Sequence, residues 1–190
     1  MTPAPLVAAT LEFDAEGVAF SSRYGDRYHP RAGALQQARH VFLHGNGLPE
    51  RWRGQDGFTI LETGFGLGNN FLATLAAWRA DAQRCERLHY LAVERHPFSR
   101  GDLARAHAAC PLQGSAGELS AAWPPPTPDL HRLAFEAGRV QLLPAFGVVA
   151  DWLPGIVAPA DATYPDGFSL PRNRAIQQYR TFNSSSRPAS

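Results

Sequence analysis

Gly64, Gly66 and Gly68 follow directly on an acid, Glu62, in the stretch LETGFGLGNNF (61–71). Glycines at this spacing admit positive φ and let a ligand touch the main chain with no Cβ in between. A dinucleotide turn reads GxGxxG, which would put its third glycine at 69. Position 69 is Asn, so a dinucleotide-dependent reductase is disfavoured. A second acid, Glu94, ends the next apolar run, 26 residues past Gly68, whereas a dinucleotide site expects its acid about 20 residues on. An acid, a GxGxG turn and a further acid closing the second strand suit S-adenosylmethionine instead. That ligand carries no pyrophosphate, and its ribose diol suits an ionised carboxylate, which accepts hydroxyl donors strongly. The same residues also suit a tight turn packing strand on helix, with Glu94 a solvated strand end.

The elements that would position these groups are legible around them. FTILE (58–62) is a short apolar run bounded by glycines, the mark of a buried strand. Phe71, Leu72, Leu75 and Trp78 then recur at helical spacing. LHYLAVE (88–94) is a second buried strand, and SRGDLARAHAAC (99–110) a helix. Strand, helix, strand, helix predicts a parallel sheet with crossover helices. Upstream, EFDAEGVAFSS predicts a hairpin using Phe13, Val18 and Phe20. ALQQARHVFL predicts a helix with Leu35, Ala38, Val41 and Phe42 on one side, closed by Gly45 and Gly47. Residues 111–131 read as a long connection around WPPPTP, with a short helix near 117–123. GRVQLLPAFG resumes a strand, 151–157 reads as a helix shortened by Pro154, and ADATYPDGF reads as a last strand ending at Asp166. That gives about four sheet strands besides the hairpin.

Composition bounds the partners. Of 190 residues, 44% are hydrophobic and 18% charged, so a packed core is expected rather than disorder. Net charge is +1, with every basic residue an Arg. Six Arg fall between Phe20 and Arg53 and four after Asp166. Arg gives bidentate phosphate contacts, so these segments permit a nucleic-acid surface; a solvated face explains them equally. Two cysteines without CxxC spacing indicate neither a zinc site nor a disulfide framework. No apolar run reaches the roughly 18 residues of a membrane span, and the N-terminus lacks a basic n-region. A cytoplasmic location and no membrane partner are expected.

Four blocks carry a more specific resemblance: ARHVFLHGNGLPERW (38–52), ETGFGLGNNFL (62–72), LHYLAVERHPFSRGDLARAHA (88–108) and ADATYPDGFSLPRN (160–173). Together, in this order, they resemble the methyltransferase domain of the MnmC family, over roughly 12–173. The resemblance implies an α/β fold, a Rossmann-like class I methyltransferase sheet with an N-terminal β-hairpin. It implies methyl transfer from S-adenosylmethionine to the amine of 5-aminomethyl-2-thiouridine at the tRNA wobble position. A separate flavin-dependent oxidase would supply the amine. Glu62, Gly64, Gly66, Gly68 and Glu94 would line the cofactor, and Tyr24, Asp26 and Asn46 of the GNGLP loop would close over it. Asp166 would orient the target ammonium and help remove its proton. Asn46 as a turn cap and Asp166 as a turn acid before Gly167 remain alternatives.

Departures from the family pattern set further expectations. Val148 stands where the family has an acid facing the adenine, a loss of about 1–3 kcal/mol if that amine goes unpaired. Pro165 removes a ladder donor from an expected central strand. The match breaks after Asn173. The expected organisation is a flexible arm (1–12), a partial methyltransferase-like domain (13–173) and a disordered or non-homologous tail (174–190), so the sheet is incomplete at the C-terminus. Two functions follow: a working tRNA methyltransferase, or a truncated, inactive remnant that binds S-adenosylmethionine weakly or not at all.

Overall fold

A computed structural model of the chain describes residues 6–23, 25–28, 33–156 and 159–165. Three short strands come first: β1 (Glu12–Phe13), β2 (Ala19–Ser21) and β3 (Asp26–Arg27), each antiparallel to the next. The expected hairpin is there, but its burial differs. Val18, Ala19 and Ser21 are buried and Phe13 is exposed. Arg27 of β3, from a segment expected as loop, ties back to Asp14 and Glu16 at 2.6 and 2.8 Å.

Helix α1 (Ala34–Gln37) widens at once into a π-helical turn, Ala38–Leu43, and tightens into a 3-10 turn, His44–Asn46. The widening departs from the regular α-helical face expected. Ala38, Phe42 and Leu43 point inward, while Val41 is exposed. The segment ends as expected at Gly47, whose φ of 66° is the left-handed region that glycine tolerates.

The sheet itself is built from β4 (Gly57–Thr63), β5 (Arg87–Glu94), β6 (Leu133–Phe135), β7 (Val140–Phe146) and β8 (Ala162–Pro165). Their spatial order is β6-β7-β5-β4-β8, parallel except for β6 against β7. The crossovers use α2 (Asn69–Ala80), α3 (Arg100–Ala106), α4 (Gln113–Ala122) and the short α5 (Val149–Trp152). Strand order reverses between β4 and β8, one strand lying on each side of the first strand laid down. In doubly wound sheets, ligands bind outside the carboxyl ends at such a switch point.

Register explains the core. Ile60 faces Tyr90 and Ala162 across the ladder, and Glu62 faces Ala92 and Tyr164. The even-numbered positions therefore share one face, and Phe58, Ile60, Leu88, Tyr90, Val140, Leu142, Phe146 and Tyr164 are buried on it. Phe71 of α2 meets Tyr90 edge-on at 5.2 Å and Phe135 at 5.3 Å. Burying a ring of this size stabilises by about 1.5–3 kcal/mol, which fixes the helix layer on this face. On the odd-numbered face Val93 and Ala145 are buried, but Leu91 and Leu143 are only half-buried.

Two further differences from expectation have local causes. The short helix expected near 117–123 is α4, which starts earlier and runs ten residues, anchored because Trp123 is buried and its indole N–H donates to Phe98 O at 2.9 Å. The same connection also holds β6, too short a run for periodicity to show. Pro165 was expected in a central strand. Among the described residues β8 has a ladder partner on one side only, β4, and such an edge strand accommodates proline.

Candidate functional site

The glycine turn joins the end of β4 to α2. Gly64, Gly66 and Gly68 have φ of 91°, 54° and 76°. The turn is tied to the next strand twice. Gly64 N–H donates to Val93 O at 2.8 Å, and Gly66 N–H donates to the Glu94 carboxylate at 2.8 Å. The other carboxylate oxygen of Glu94 accepts His96 N–H at 2.7 Å, and Glu94 O accepts Gly147 N–H at 2.9 Å. Glu94 is 9% exposed. It is thus the hub of three strand-end loops, not a solvated strand end. Two of an ionised carboxylate's roughly four lone-pair positions are used, leaving room for a diol.

The three glycines do different work. A Cβ at Gly68 would lie 2.7 Å from the Phe65 ring and 3.1 Å from Leu119, whereas one at Gly66 would meet only Tyr28, at 3.6 Å. Gly68 is therefore required by packing within the protein. Phe65 is held by stacking on Trp123 at 4.9 Å. Gly66 is half-buried, and a Cβ there would touch only the Tyr28 ring, in ordinary contact.

Glu62 is fully buried and accepts Asn70 Nδ2–H from the first turn of α2 at 2.7 Å. Thr74 continues the line, donating to Asn70 O at 2.7 Å and lying 3.3 Å from the Tyr164 hydroxyl. Burial pushes the Tyr164 phenol well above its ordinary pKa. This polar chain ties the end of β4 through α2 to the end of β8. Asn46 fastens the other side: its side-chain amide donates to Phe42 O at 2.9 Å and Thr163 O at 3.3 Å. Its amide N–H groups therefore brace the GNGLP loop against β8, close to the turn-cap alternative.

The structure brings Glu62, Gly64, Gly66, Gly68 and Glu94 to one sheet edge, with Asn46 beside β8. Tyr24 and Asp166 lie outside the described residues. Asp26 is placed by its backbone, in β3. Several residues near this edge were not singled out by sequence. Asn70 follows the glycines as part of GNN, which resembles an ordinary helix start. His107, at the end of α3, packs under the turn at Leu67. Its burial lowers its pKa, outweighing the nearby Leu67 main chain, which favours the proton. Tyr28 stacks edge-on against Phe98 at 5.1 Å. With His96, Arg23, Ser21, Ser22 and Thr10 it also lines a cavity of about 390 Å3 beside the turn. Among the described residues no cluster of three or more His, Cys, Asp or Glu could hold a metal. No described helix is long and apolar enough to cross a membrane.

Comparison with known proteins gives the fold and relationship independently. No protein-family model matches the chain. The chain is 57% identical over 180 residues to the tRNA 5-methylaminomethyl-2-thiouridine biosynthesis bifunctional protein MnmC of Methylibium petroleiphilum, covering 95% of this chain and 28% of that protein. It is 52% identical over 191 residues to the protein of the same name from Burkholderia multivorans, covering 98% and 29%. The chain belongs to the MnmC family. It spans a little over a quarter of the length of these relatives. The solved structure of MnmC2 from Aquifex aeolicus matches with a TM-score of 0.63 at 21% identity, over 86% of this chain and 50% of that one. That likeness shows the fold, an α/β sheet of Rossmann-like type.

Proposed function

We propose that this chain forms the cofactor-binding part of an S-adenosylmethionine-dependent methyltransferase acting on the wobble uridine of tRNA. The single observation that carries the reading is the Glu94 hub. A buried carboxylate at the end of β5 is fixed against the glycine turn of β4, and two main-chain donors leave it further acceptor capacity. That geometry fits a ligand with a ribose diol and no pyrophosphate. When bound, S-adenosylmethionine supplies an activated methyl group. This chain's part is to hold the ribose at Glu94, to present the Gly66 main chain with no Cβ in between, and to seat the adenine side near Gly147, whose N–H is bonded to Glu94 O. Asp166, one residue past β8, would orient the amine of 5-aminomethyl-2-thiouridine and take its proton; alignment at contact distance supplies the remaining rate. The partners proposed are tRNA and a flavin-dependent oxidase that makes the amine, in the cytoplasm.

The test has two arms. Titration calorimetry with S-adenosylmethionine should show stoichiometric binding, and no heat at millimolar ligand overturns the reading. Transfer of labelled methyl to tRNA carrying 5-aminomethyl-2-thiouridine should depend on Asp166. An unchanged rate in Asp166→Asn removes that residue's role.

A second reading, a chain that binds the cofactor weakly without turnover, draws on the half-buried Leu91 and Leu143 of the odd-numbered face. Binding without methyl transfer in the same experiment would establish it.

A further inference from the structure

Arginines without acids collect at the amino edge of the sheet, the end opposite the glycine turn. Arg87 opens β5, and Arg139 immediately precedes β7, its carbonyl accepting Leu88 N–H at 2.8 Å. Leu88 pairs with Val140, so these two arginines lie level on adjacent strands, which run about 4.8 Å apart. Arg84 sits in the turn just before. Its guanidinium stands 4.6 Å from the centroid of the buried Trp78 ring, and that of Arg139 stands 5.4 Å from the same centroid. Arg84 is half-buried, and Arg87 and Arg139 are exposed.

Among the described residues none of the three makes an ion pair. Arg84 donates to Asp81 O at 3.1 Å and Arg139 to Glu136 O at 3.4 Å, both neutral carbonyls. The carboxylates of those same residues are engaged elsewhere. Arg53 and the Trp52 indole donate to Asp81 at 2.9 and 3.0 Å, and Arg79 donates to Glu136 at 2.8 Å. Stacking on Trp78 accounts for a guanidinium over its ring, but not for a third cation beside it at Arg87. Like charges this close repel, so the cluster carries a cost that an anion would remove. In the Arg-rich stretch 20–53, by contrast, Arg27 and Arg53 are already bound to acids.

We propose that Arg84, Arg87 and Arg139 bind the phosphate backbone of the RNA stem that adjoins the target nucleotide. This rests on the reading of the chain as acting on tRNA. The planar fork of Arg matches a phosphate bidentately, which a carboxylate-poor edge leaves available. Strand β5 runs from Arg87 to Glu94, so its two ends lie about 23 Å apart. A duplex advances about 3.4 Å per base step along each strand, so a stem about seven steps from the bound nucleotide reaches the patch. The carboxyl edge then holds the nucleotide and the amino edge holds the stem by charge.

The experiment measures tRNA binding against salt concentration by filter retention. It compares wild type, Arg87→Gln, the triple variant Arg84→Gln/Arg87→Gln/Arg139→Gln, and Arg105→Gln, whose guanidinium is paired with Asp102 at 3.2 Å. The triple variant should bind tRNA about tenfold or more weakly at low salt, and its slope of log affinity on log salt should flatten by about two to three, one for each phosphate contact. Arg87 makes no side-chain hydrogen bond among the described residues, so Arg87→Gln should melt like wild type and flatten the slope by about one. Arg105→Gln should leave the slope unchanged, and S-adenosylmethionine titrations should agree for all of these proteins. RNA of the loop nucleotides alone, without the stem, should bind the triple variant and wild type alike. An unchanged slope in Arg87→Gln overturns the proposal, as does an equal flattening in Arg105→Gln or an equal loss with the loop alone. Poly-glutamate that displaces tRNA at equal charge concentration also overturns it, making the patch a surface for an acidic protein. Wild type that binds tRNA with the expected slope but takes no S-adenosylmethionine overturns the cofactor reading and supports this inference.

Discussion

The Gly66 N–H donates to the Glu94 carboxylate at 2.8 Å, across the gap between two parallel strands. The acid that would receive the ligand also shapes the turn that the ligand must touch. His96 N–H loads the second oxygen of the same carboxylate at 2.7 Å. Two oxygens therefore accept from two main-chain donors on opposite sides, and no other side chain of this length does both. Glu94→Gln keeps the shape but offers one acceptor; its NH2 end must face an N–H. The variant should lose about 1–3 kcal/mol of stability in ligand-free protein, the cost of a buried donor left unpaired. Urea denaturation reads this directly. A variant as stable as wild type would mean that Glu94 contributes nothing to holding the turn.

Gly68 and Gly66 both have positive φ, but only Gly68 is walled in. A methyl group there would press into the Phe65 ring at 2.7 Å and Leu119 at 3.1 Å. Phe65 cannot retreat freely, because it stacks on the buried Trp123. Gly68→Ala should therefore destabilise by about 2–4 kcal/mol, backbone strain plus overpacking, while Gly66→Ala should cost about 1–2 kcal/mol from strain alone. Thermal melts of the two variants side by side check the order; equal losses would deny the packing role.

How much of this was legible beforehand depends on where the partners lie in the chain. The turn, β4, β5 and α2 announce themselves because glycine spacing and unbroken apolar runs are local signals, and all of the residues involved fall within 57–94. The division of labour among the glycines was not legible. It depends on Leu119 and Trp123, from a connection in which spacing suggested a short helix but not what that helix packs on. Strand β6 was hidden for a related reason: three residues, LAF, give no period to read, and its pairing with β7 across a tight turn decides its state. The π-helical widening at Ala38–Leu43 is a tertiary effect, since Ala38, Phe42 and Leu43 are all drawn inward at once.

His107 makes the stability pH-dependent in a definite direction. Its burial holds the folded-state pKa below the ordinary 6.5. The unfolded chain binds a proton near 6.5, whereas the folded chain resists it until a lower pH. Between those values the unfolded state carries more protons, so stability falls as pH drops below about 6.5. His107→Leu should flatten that part of the curve. Melting temperatures from pH 7.5 to 5 for both proteins check it; identical slopes would remove His107 as the cause. Leu67 lies in the turn above, so the same acidification should weaken S-adenosylmethionine binding in wild type more than in the variant.

The Glu62–Asn70 bond is the point where the sheet edge is locked to α2. Glu62 is fully buried and Asn70 nearly so, and the 2.7 Å bond between them lies away from solvent. Asn70→Leu retains the volume and the helix but withdraws the donor from a buried carboxyl group. Thr74 still bonds to the main-chain oxygen at position 70, so the helix itself should persist. The loss should then be about 1–3 kcal/mol, with far-UV circular dichroism unchanged. The end of β4 is also where Thr63 and Gly64 begin the turn, so loosening it should raise the dissociation constant for S-adenosylmethionine as well as lower the melting point. If stability fell but affinity held, the Glu62–Asn70 bond would be a fastening of the core alone, with no hand in positioning the turn.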